Sequence, residues 1–270
     1  MIQRGSVRWS AMPENVSPSV AVERAFAILE ATAGHTQGLT NAEISRRLSI
    51  PKSSASYILR TLERGGYLRR ETESGRYRLG LKLLNLGRGV LSGFGLREIS
   101  VTEMRGLVDR TGLTAHLAVL DRGEAVYIEK VEAPGFIKMD TWIGRRMFVH
   151  STSVGKALVA NLPKQLVDAI LGEHGLLKRT PNTITAPRRF HAELASVREK
   201  GFAVDDEENS MDARCLAVPV FAANGTVVAA LGLSGTVSQL DPASIPRVAE
   251  LARESSRRIT RQLGIPSMSH

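Results

Sequence analysis

The stretch that most constrains this chain runs from Thr40 to Gly66, where end signals impose two short helices. Thr40-Asn41-Ala42-Glu43 has the form of a capping box. The Thr40 hydroxyl can accept from the backbone N–H of Glu43, while the Glu43 carboxylate reaches back to the N–H of Thr40. Ile44 and Leu48 then share one face. Ser49-Ile50-Pro51 stops this helix, because proline lacks a donor and disfavours the α conformation at Ile50. A second helix is expected from about Pro51–Lys52 to Gly65-Gly66. Its apolar face is Ala55, Ile58, Leu59 and Leu62; its other face carries Ser53, Ser54, Ser56, Tyr57, Arg60 and Arg64. Small residues at a helix start let the backbone approach phosphates and let the helix fit the major groove. Tyr67-Leu68-Arg69-Arg70, a turn through Glu73-Ser74-Gly75, and Arg76-Tyr77-Arg78-Leu79 read as a β-hairpin. A helix–turn–helix followed by a basic hairpin is the arrangement of a winged helix.

Amphipathic helix pairs are common, so this pattern needs independent support, and charge supplies it. The chain has 36 Lys+Arg against 27 Asp+Glu, a formal charge of +9. Residues 1–97 hold 15 basic and 7 acidic residues, and residues 98–270 hold 21 and 20. An excess confined to the first third implies an anionic partner there, such as nucleic acid or a membrane surface. The helix–turn–helix spacing and the basic hairpin select duplex DNA. Lys52, Arg60, Arg64, Arg69, Arg70, Arg76 and Arg78 are the candidate phosphate contacts; Ser53, Ser54, Ser56 and Tyr57 are the candidates for reading base edges. Thr40, at the first helix start, is grouped with the DNA-binding residues.

The 270 residues suggest two domains, and 43% hydrophobic content excludes wholesale disorder. The single cysteine, Cys215, rules out an intramolecular disulfide and suits a reducing compartment. Met1–Pro18 has no apolar core of a secretory signal, and no window approaches ~18 consecutive apolar residues. No membrane partner and a cytoplasmic location are therefore expected. Aromatics at 5% argue against a stacking-based single-strand binder. The expected organisation is a flexible arm (1–17), a DNA-binding domain (18–80), a linker or dimerisation helix and hinge (81–97), and a second domain (98–266). The first helix follows Ser19, with Val22, Phe26 and Leu29 as its apolar stripe, and ends near Gly34. Leu81–Leu91 is too apolar to stand alone in water, so it packs under the wing or pairs with a second copy. Ser92-Gly93-Phe94-Gly95 reads as the hinge.

The second domain alternates helix and strand signals. Helices are expected at Ile99–Thr111, Gly155–Leu162, Leu166–Leu171, His191–Lys200 and Pro242–Leu263. Strands are expected at Ala115–Leu120, Ala125–Val131, Phe136–Trp142, Phe202–Asp205, Cys215–Phe221 and Val227–Ser234. Asn224-Gly225 between the last two is a strong hairpin signal. The pattern is α+β, an antiparallel sheet flanked by helices.

Catalytic chemistry has little support. Ser153-Val154-Gly155-Lys156 matches Ser-x-x-Lys, which keeps a small-molecule-binding or hydrolytic enzyme using Ser153 and Lys156, acting without DNA, as the rival reading. The companion Ser-Asp-Asn and Lys-Thr-Gly motifs are absent, as are Gly-x-Ser-x-Gly, a Walker loop and His-Glu-x-x-His. Better, Ser151, Thr152 and Ser153 lead into a helix start at Gly155, where backbone N–H groups and the positive helix end would cradle a carboxylate. The acidic run Asp205-Asp206-Glu207-Glu208, with His116, His150 and His174, fits no metal loop and is expected to be solvated. No metal and no cofactor are expected. Cys215 reads as a buried small hydrophobe or a pocket wall, with no sign of a reactive thiolate.

Several motifs recur together in one known order. They are Val22-Glu23-Arg24-Ala25, Gly38 through Leu48, Pro51-Lys52-Ser53-Ser54 and Gly75 through Gly80. In the C-terminal half they are Gly144-Arg145-Arg146, His150, Gly155-Lys156-Ala157-Leu158, Thr180 through Thr185, and Gly201 through Asn209 leading to Arg214-Cys215. Through these the chain resembles the IclR family of bacterial transcriptional regulators from about Ser19 to Gly264. The resemblance implies a winged helix–turn–helix, a linker helix and a GAF-like effector domain. It implies a homodimer or homotetramer on a palindromic operator, and a small organic or aromatic acid as effector. Met139, Met147, Ser153, Val154, Gly155, Asp205, Cys215 and Ser234 would form the effector pocket. Asp205 would accept from a hydroxyl or hydrated carbonyl. The chain has Ser54-Ala55-Ser56-Tyr57 where similar proteins often carry Thr-Val-His-Arg, which bears on operator sequence. Gly232 and Ala222 replace residues usually polar in the family, which implies a more apolar pocket.

Overall fold

A computed structural model describes residues 19–92, 95–135 and 139–264. The expected arm at 1–17 and the centre of the expected hinge, Gly93-Phe94, lie outside the described residues. The chain divides into two compact units at Val90/Leu91, inside helix α4.

The first unit contains α1 (Val20–Ala33), α2 (Asn41–Arg47), α3 (Lys52–Arg64), β1 (Leu68–Arg70), β2 (Tyr77–Leu79) and the start of α4 (Lys82–Ser92). Strand pairing of Leu68 with Leu79 and Arg70 with Tyr77 closes the wing. Leu39 bridges to Tyr77 and so tethers the wing to the loop before α2. Ile28, Leu39, Ile44, Ile50, Ala55, Ile58, Leu59, Leu68 and Tyr77 form the core. One expectation fails at α1. Its inner face is Ile28 and Thr32 with Ala25 and Leu29 alongside, while Val22 and the 59%-exposed Phe26 point outward. Stripe and packing differ by about one helical step. Along α4, Leu81, Leu84, Leu86 and Val90 are also exposed.

The second unit is built on a six-stranded antiparallel sheet. Its strands are β3 (Thr114–Asp121), β4 (Glu124–Val131), β5 (Arg146–Phe148), β6 (Ala203–Asp206), β7 (Ala213–Phe221) and β8 (Val227–Thr236), in the order β5-β4-β3-β8-β7-β6. Of the expected strand at Phe136–Trp142, 139–142 is irregular and 136–138 lies outside the described residues. The edge strand is instead the three-residue β5. Alternation assigns the two faces. Leu117, Leu216, Val218, Leu231 and Leu233 pack on α5 (Gly95–Thr111) and α9 (Ile245–Leu263). Ala118, Tyr127, Ala217 and Ala230 face α6 (Ser153–Val159), α7 (Lys164–His174) and α8 (Pro187–Lys200). β6 covers only Arg214–Ala217 of β7, leaving the rest of β7 without a strand neighbour on that side. There α9 substitutes for a strand: Ser256 Oγ donates to Pro219 O at 2.6 Å, and Thr260 Oγ1 accepts from the Phe221 N–H at 3.3 Å.

Candidate functional site

The expected capping box is present. Thr40 N–H donates to Glu43 Oε2 at 2.8 Å, and Thr40 Oγ1 accepts from the Glu43 N–H at 3.3 Å. The bond from the Thr40 N–H, and then the Thr40 hydroxyl donating to Glu43 Oε2 at 3.0 Å, hold the Glu43 carboxyl at about 2, below the usual carboxylate range, with Arg76 adding to them. The turn between α2 and α3 is closed by Ile50 N–H to Ser45 O at 3.0 Å and Ser45 Oγ to Ile50 O at 2.6 Å, with Ser49 at φ 54°. α3 then turns Ala55, Ile58 and Leu59 inward. Lys52, Ser53, Tyr57, Arg60 and Arg64 are exposed, and Ser54 and Ser56 are half-buried beside them. Tyr57 is 70% exposed. The basic residues of this face, Lys52, Arg60 and Arg64, enter no ion pair among the described residues, so their charges are open to a phosphate. Arg69 and Arg70 on β1 are exposed as well.

Three candidates are placed differently. Arg76 turns inward: its guanidinium donates to Gly38 O at 2.9 Å and forks onto Glu43 at 3.0 and 3.2 Å. It locks the wing to the α2 start and is not free for phosphate. Thr40 is likewise spent on the cap. Arg78 pairs with Glu71 at 2.8 Å. Arg46 and Arg47 at the end of α2 are exposed too, outside the second-helix face from which the sequence pattern draws its DNA contacts.

In the second unit, register builds a cavity of about 290 Å³. Asp205 pairs with Cys215, and Cys215 with Ser234, so the three stand in a row across β6, β7 and β8 on the face opposite Leu216 and Leu233. Tyr127 from β4 and Met147 from β5 add to the lining from other levels of the sheet; Thr152, Ser153 and Val154 close one side, and Met139, Asp140, Thr141 and Arg145 another. Arg179, Asn209, Ser210 and Ala213 complete the lining. Seven of the eight expected pocket residues thus meet in one cavity. Gly155 does not line it. A Cβ there would fall 2.3 Å from Val149 Cα, so its role is close packing behind the α6 start. Gly232 and Ala222 do not line it either, so they make it no more apolar: a Cβ on Gly232 would meet Val154 Cγ1 at 2.6 Å, and Ala222 sits in the β7–β8 turn.

Burial dominates the electrostatics of the cavity. Burial pushes the Asp205 carboxyl up to about 7, although the N–H groups of Glu208 and Asn209, at 2.8 and 3.2 Å, hold it down. Burial also pushes the Cys215 thiol up, which removes any thiolate. His116 lies 4.7 Å from the Tyr127 ring and 2.7 Å from Thr141 Oγ1; burial and the Lys130 charge lower it to about 3, so it is neutral. Thr152 Oγ1 caps α6 by accepting from the Gly155 N–H at 3.2 Å.

Lys156 removes the enzyme reading. It is fully buried, and Nζ donates to Glu208 Oε1 at 2.6 Å, Val204 O at 2.8 Å and Glu193 Oε1 at 3.1 Å. All three protons are used, and none serves Ser153. The acidic run is not solvated as expected: Asp205 and Glu208 are buried, and Asp206 binds Arg214 at 2.7 Å. His116, His150 and His174 turn to Thr141, Leu177 and Arg122, and no three metal-ligating side chains converge among the described residues. No described helix is long and apolar enough to cross a membrane.

Both units match family models: the IclR helix-turn-helix domain over residues 21–72 and the bacterial transcriptional regulator IclR C-terminal domain over residues 88–261. This chain belongs to the IclR family. It is 36% identical to the HTH-type transcriptional regulator XynR of Escherichia coli K12, covering 92% of this chain and 98% of that one. The crystal structure of Thermotoga maritima IclR aligns with a TM-score of 0.76 and 34% identity, over 90% of this chain and 98% of that one. An IclR homolog from Microbacterium hydrocarbonoxydans, solved in complex with 4-hydroxybenzoate, aligns with a TM-score of 0.79 and 26% identity, over 90% and 98%. Like the other members of the IclR family matched here, the chain is a transcriptional regulator with a DNA-binding helix–turn–helix and a C-terminal effector domain, and not an enzyme.

Proposed function

We propose that this IclR-family chain is a cytoplasmic repressor. It binds a palindromic operator as a dimer or tetramer and answers to a small organic or aromatic acid in the cavity of its second unit. The observation that carries this reading is that cavity, lined by Asp205, Cys215, Ser234, Ser153, Val154, Met147 and Met139. At about 290 Å³ it lies at the lower end of ligand pockets. The carboxylate would meet the start of α6, with Arg145 and Arg179 adding positive charge at the rim. The neighbour in complex with 4-hydroxybenzoate supports the aromatic choice. α3 would enter the major groove, with Ser53, Ser54, Ser56 and Tyr57 toward base edges and Lys52, Arg60 and Arg64 toward phosphates. The exposed apolar residues of α4 would be covered by a second copy.

An effector shifts repression only if it binds the two dimer geometries with different affinity. The test is a mobility shift on the chain's own upstream region, repeated with pyruvate and 4-hydroxybenzoate, beside a thermal-shift screen of organic and aromatic acids. Specific retardation that one acid weakens supports the reading. Equal affinity for random DNA, or no response across the whole acid panel, refutes it.

A further inference from the structure

One polar group near the cavity has no role so far. Lys130 on β4 stands directly opposite His116 on β3. Its side chain is only 11% exposed, yet it reaches one surface carboxylate, Glu132, at 2.9 Å. Pairing with Glu132 alone would leave the ammonium in water. Instead Nζ also donates to Thr141 O at 2.7 Å and Met139 O at 3.0 Å. Met139 and Thr141 both line the cavity and belong to an irregular segment with no strand ladder of its own. Thr141 is gripped twice: Lys130 holds its carbonyl, and His116 lies 2.7 Å from its hydroxyl. Beyond it, Gly144 N–H donates to Tyr127 O at 2.7 Å, and Tyr127 N–H to Arg145 O at 3.1 Å.

We propose that Lys130 is a positioning residue of this cavity: it pins the carbonyls of Met139 and Thr141 and so fixes the wall against which a bound acid would rest. Hydrogen bonds from a charged donor are among the stronger ones, and these two fall on a stretch that lacks regular backbone pairing. Lys130 need not touch the ligand; it sets the shape the ligand meets. This rests on reading the cavity as the effector site.

Trp142 reports on the segment. It is 55% exposed with the Arg145 guanidinium 4.6 Å from its ring, and the chain's other tryptophan is Trp9. In a Trp9→Phe background, Lys130→Met should raise acrylamide quenching of Trp142. It should also speed amide exchange over Met139–Arg145 roughly tenfold or more, while β3–β8 amides stay protected. Lys130→Arg, which keeps a charged donor, should restore most of the protection. Unchanged quenching and exchange in Lys130→Met would overturn the proposal, as would loosening spread equally over the sheet. Titrations with pyruvate and 4-hydroxybenzoate separate the two readings. If Asp205→Asn loses binding while Lys130→Met loosens the segment without altering the dissociation constant, the positioning role fails alone. If neither acid distinguishes Asp205→Asn from the unaltered chain, the effector reading fails, and the Trp142 and exchange data still decide the pinning.

Discussion

Replacing Lys156 by methionine keeps the length of the side chain and removes its charge, which makes the buried network a sharp test. Three acceptors lose their donor: Glu208, Val204 O and Glu193. Glu193 is 31% exposed and can rehydrate, but the Glu208 side chain is 10% exposed and cannot. Removing one partner of a buried pair costs about 3–5 kcal/mol, because the other charge is left without compensation. At roughly 2–4 °C per kcal/mol for a unit of this size, the melting temperature should fall by roughly 6–20 °C. The loss should also depend on pH in a defined direction. Burial already raises the Glu208 carboxyl, and Lys156 opposes that rise. Without Lys156 the carboxyl rises further, so the native variant takes up a proton that relieves the penalty as pH falls. Urea denaturation at pH 8 and pH 5 should therefore show a larger deficit at pH 8. Lys156→Met combined with Glu208→Gln should recover at least half of it. A deficit under about 1 kcal/mol at pH 8, or a double variant no better than the single, would refute the argument.

Three further outcomes follow from the geometry. Arg60→Ala should weaken binding to all duplexes and lower the salt slope of log K by about one, whereas Arg76→Ala should leave the slope alone and lower the melting temperature, because Arg76 is bound to Glu43 and Gly38. Mobility shifts across a salt series compare them, and equal slopes would contradict the assignment. Asp205 is raised to about 7 in the folded chain against about 4 when unfolded, so the native state holds the extra proton and stability is lost as pH rises through that window. Asp205→Asn should flatten this part of the stability–pH curve, and parallel curves would argue against it. Gly155→Ala improves helix propensity yet places a Cβ 2.3 Å from Val149 Cα. A net loss of about 1–3 kcal/mol in chemical denaturation is expected, and a gain would show that the loop yields.

The winged helix was legible because its signals are local. The capping box, the Ser49-Ile50-Pro51 break and the Gly75 turn each act within a few residues. α1 misled because Val22 and Phe26 are its bulky apolar residues, whereas tertiary packing selects Ile28. β5 escaped notice because three residues carry too little alternation to mark a strand. The row Asp205–Cys215–Ser234 was reachable through family likeness. Tyr127 and Lys130 were not, since sheet register brings together positions that share no local pattern, and Thr141 reaches the cavity on an irregular segment that carries no periodicity. Arg76 shows the same limit: it reads as a free cation until the fold brings Glu43, 33 positions earlier, within 3.0 Å.

The hydroxyls of α9 on β7 carry a consequence for biosynthesis. Pro219 O and Phe221 N–H belong to a strand margin that β6 never reaches, and the groups that satisfy them, Ser256 and Thr260, lie in α9, the last of the described helices. Until the ribosome releases that helix, the sheet presents an open margin able to recruit a strand from another nascent chain. Pro219, which has no N–H to offer, limits the hazard during that interval. Chains arrested before Ile245 should therefore accumulate as β-rich aggregates rather than as soluble regulator.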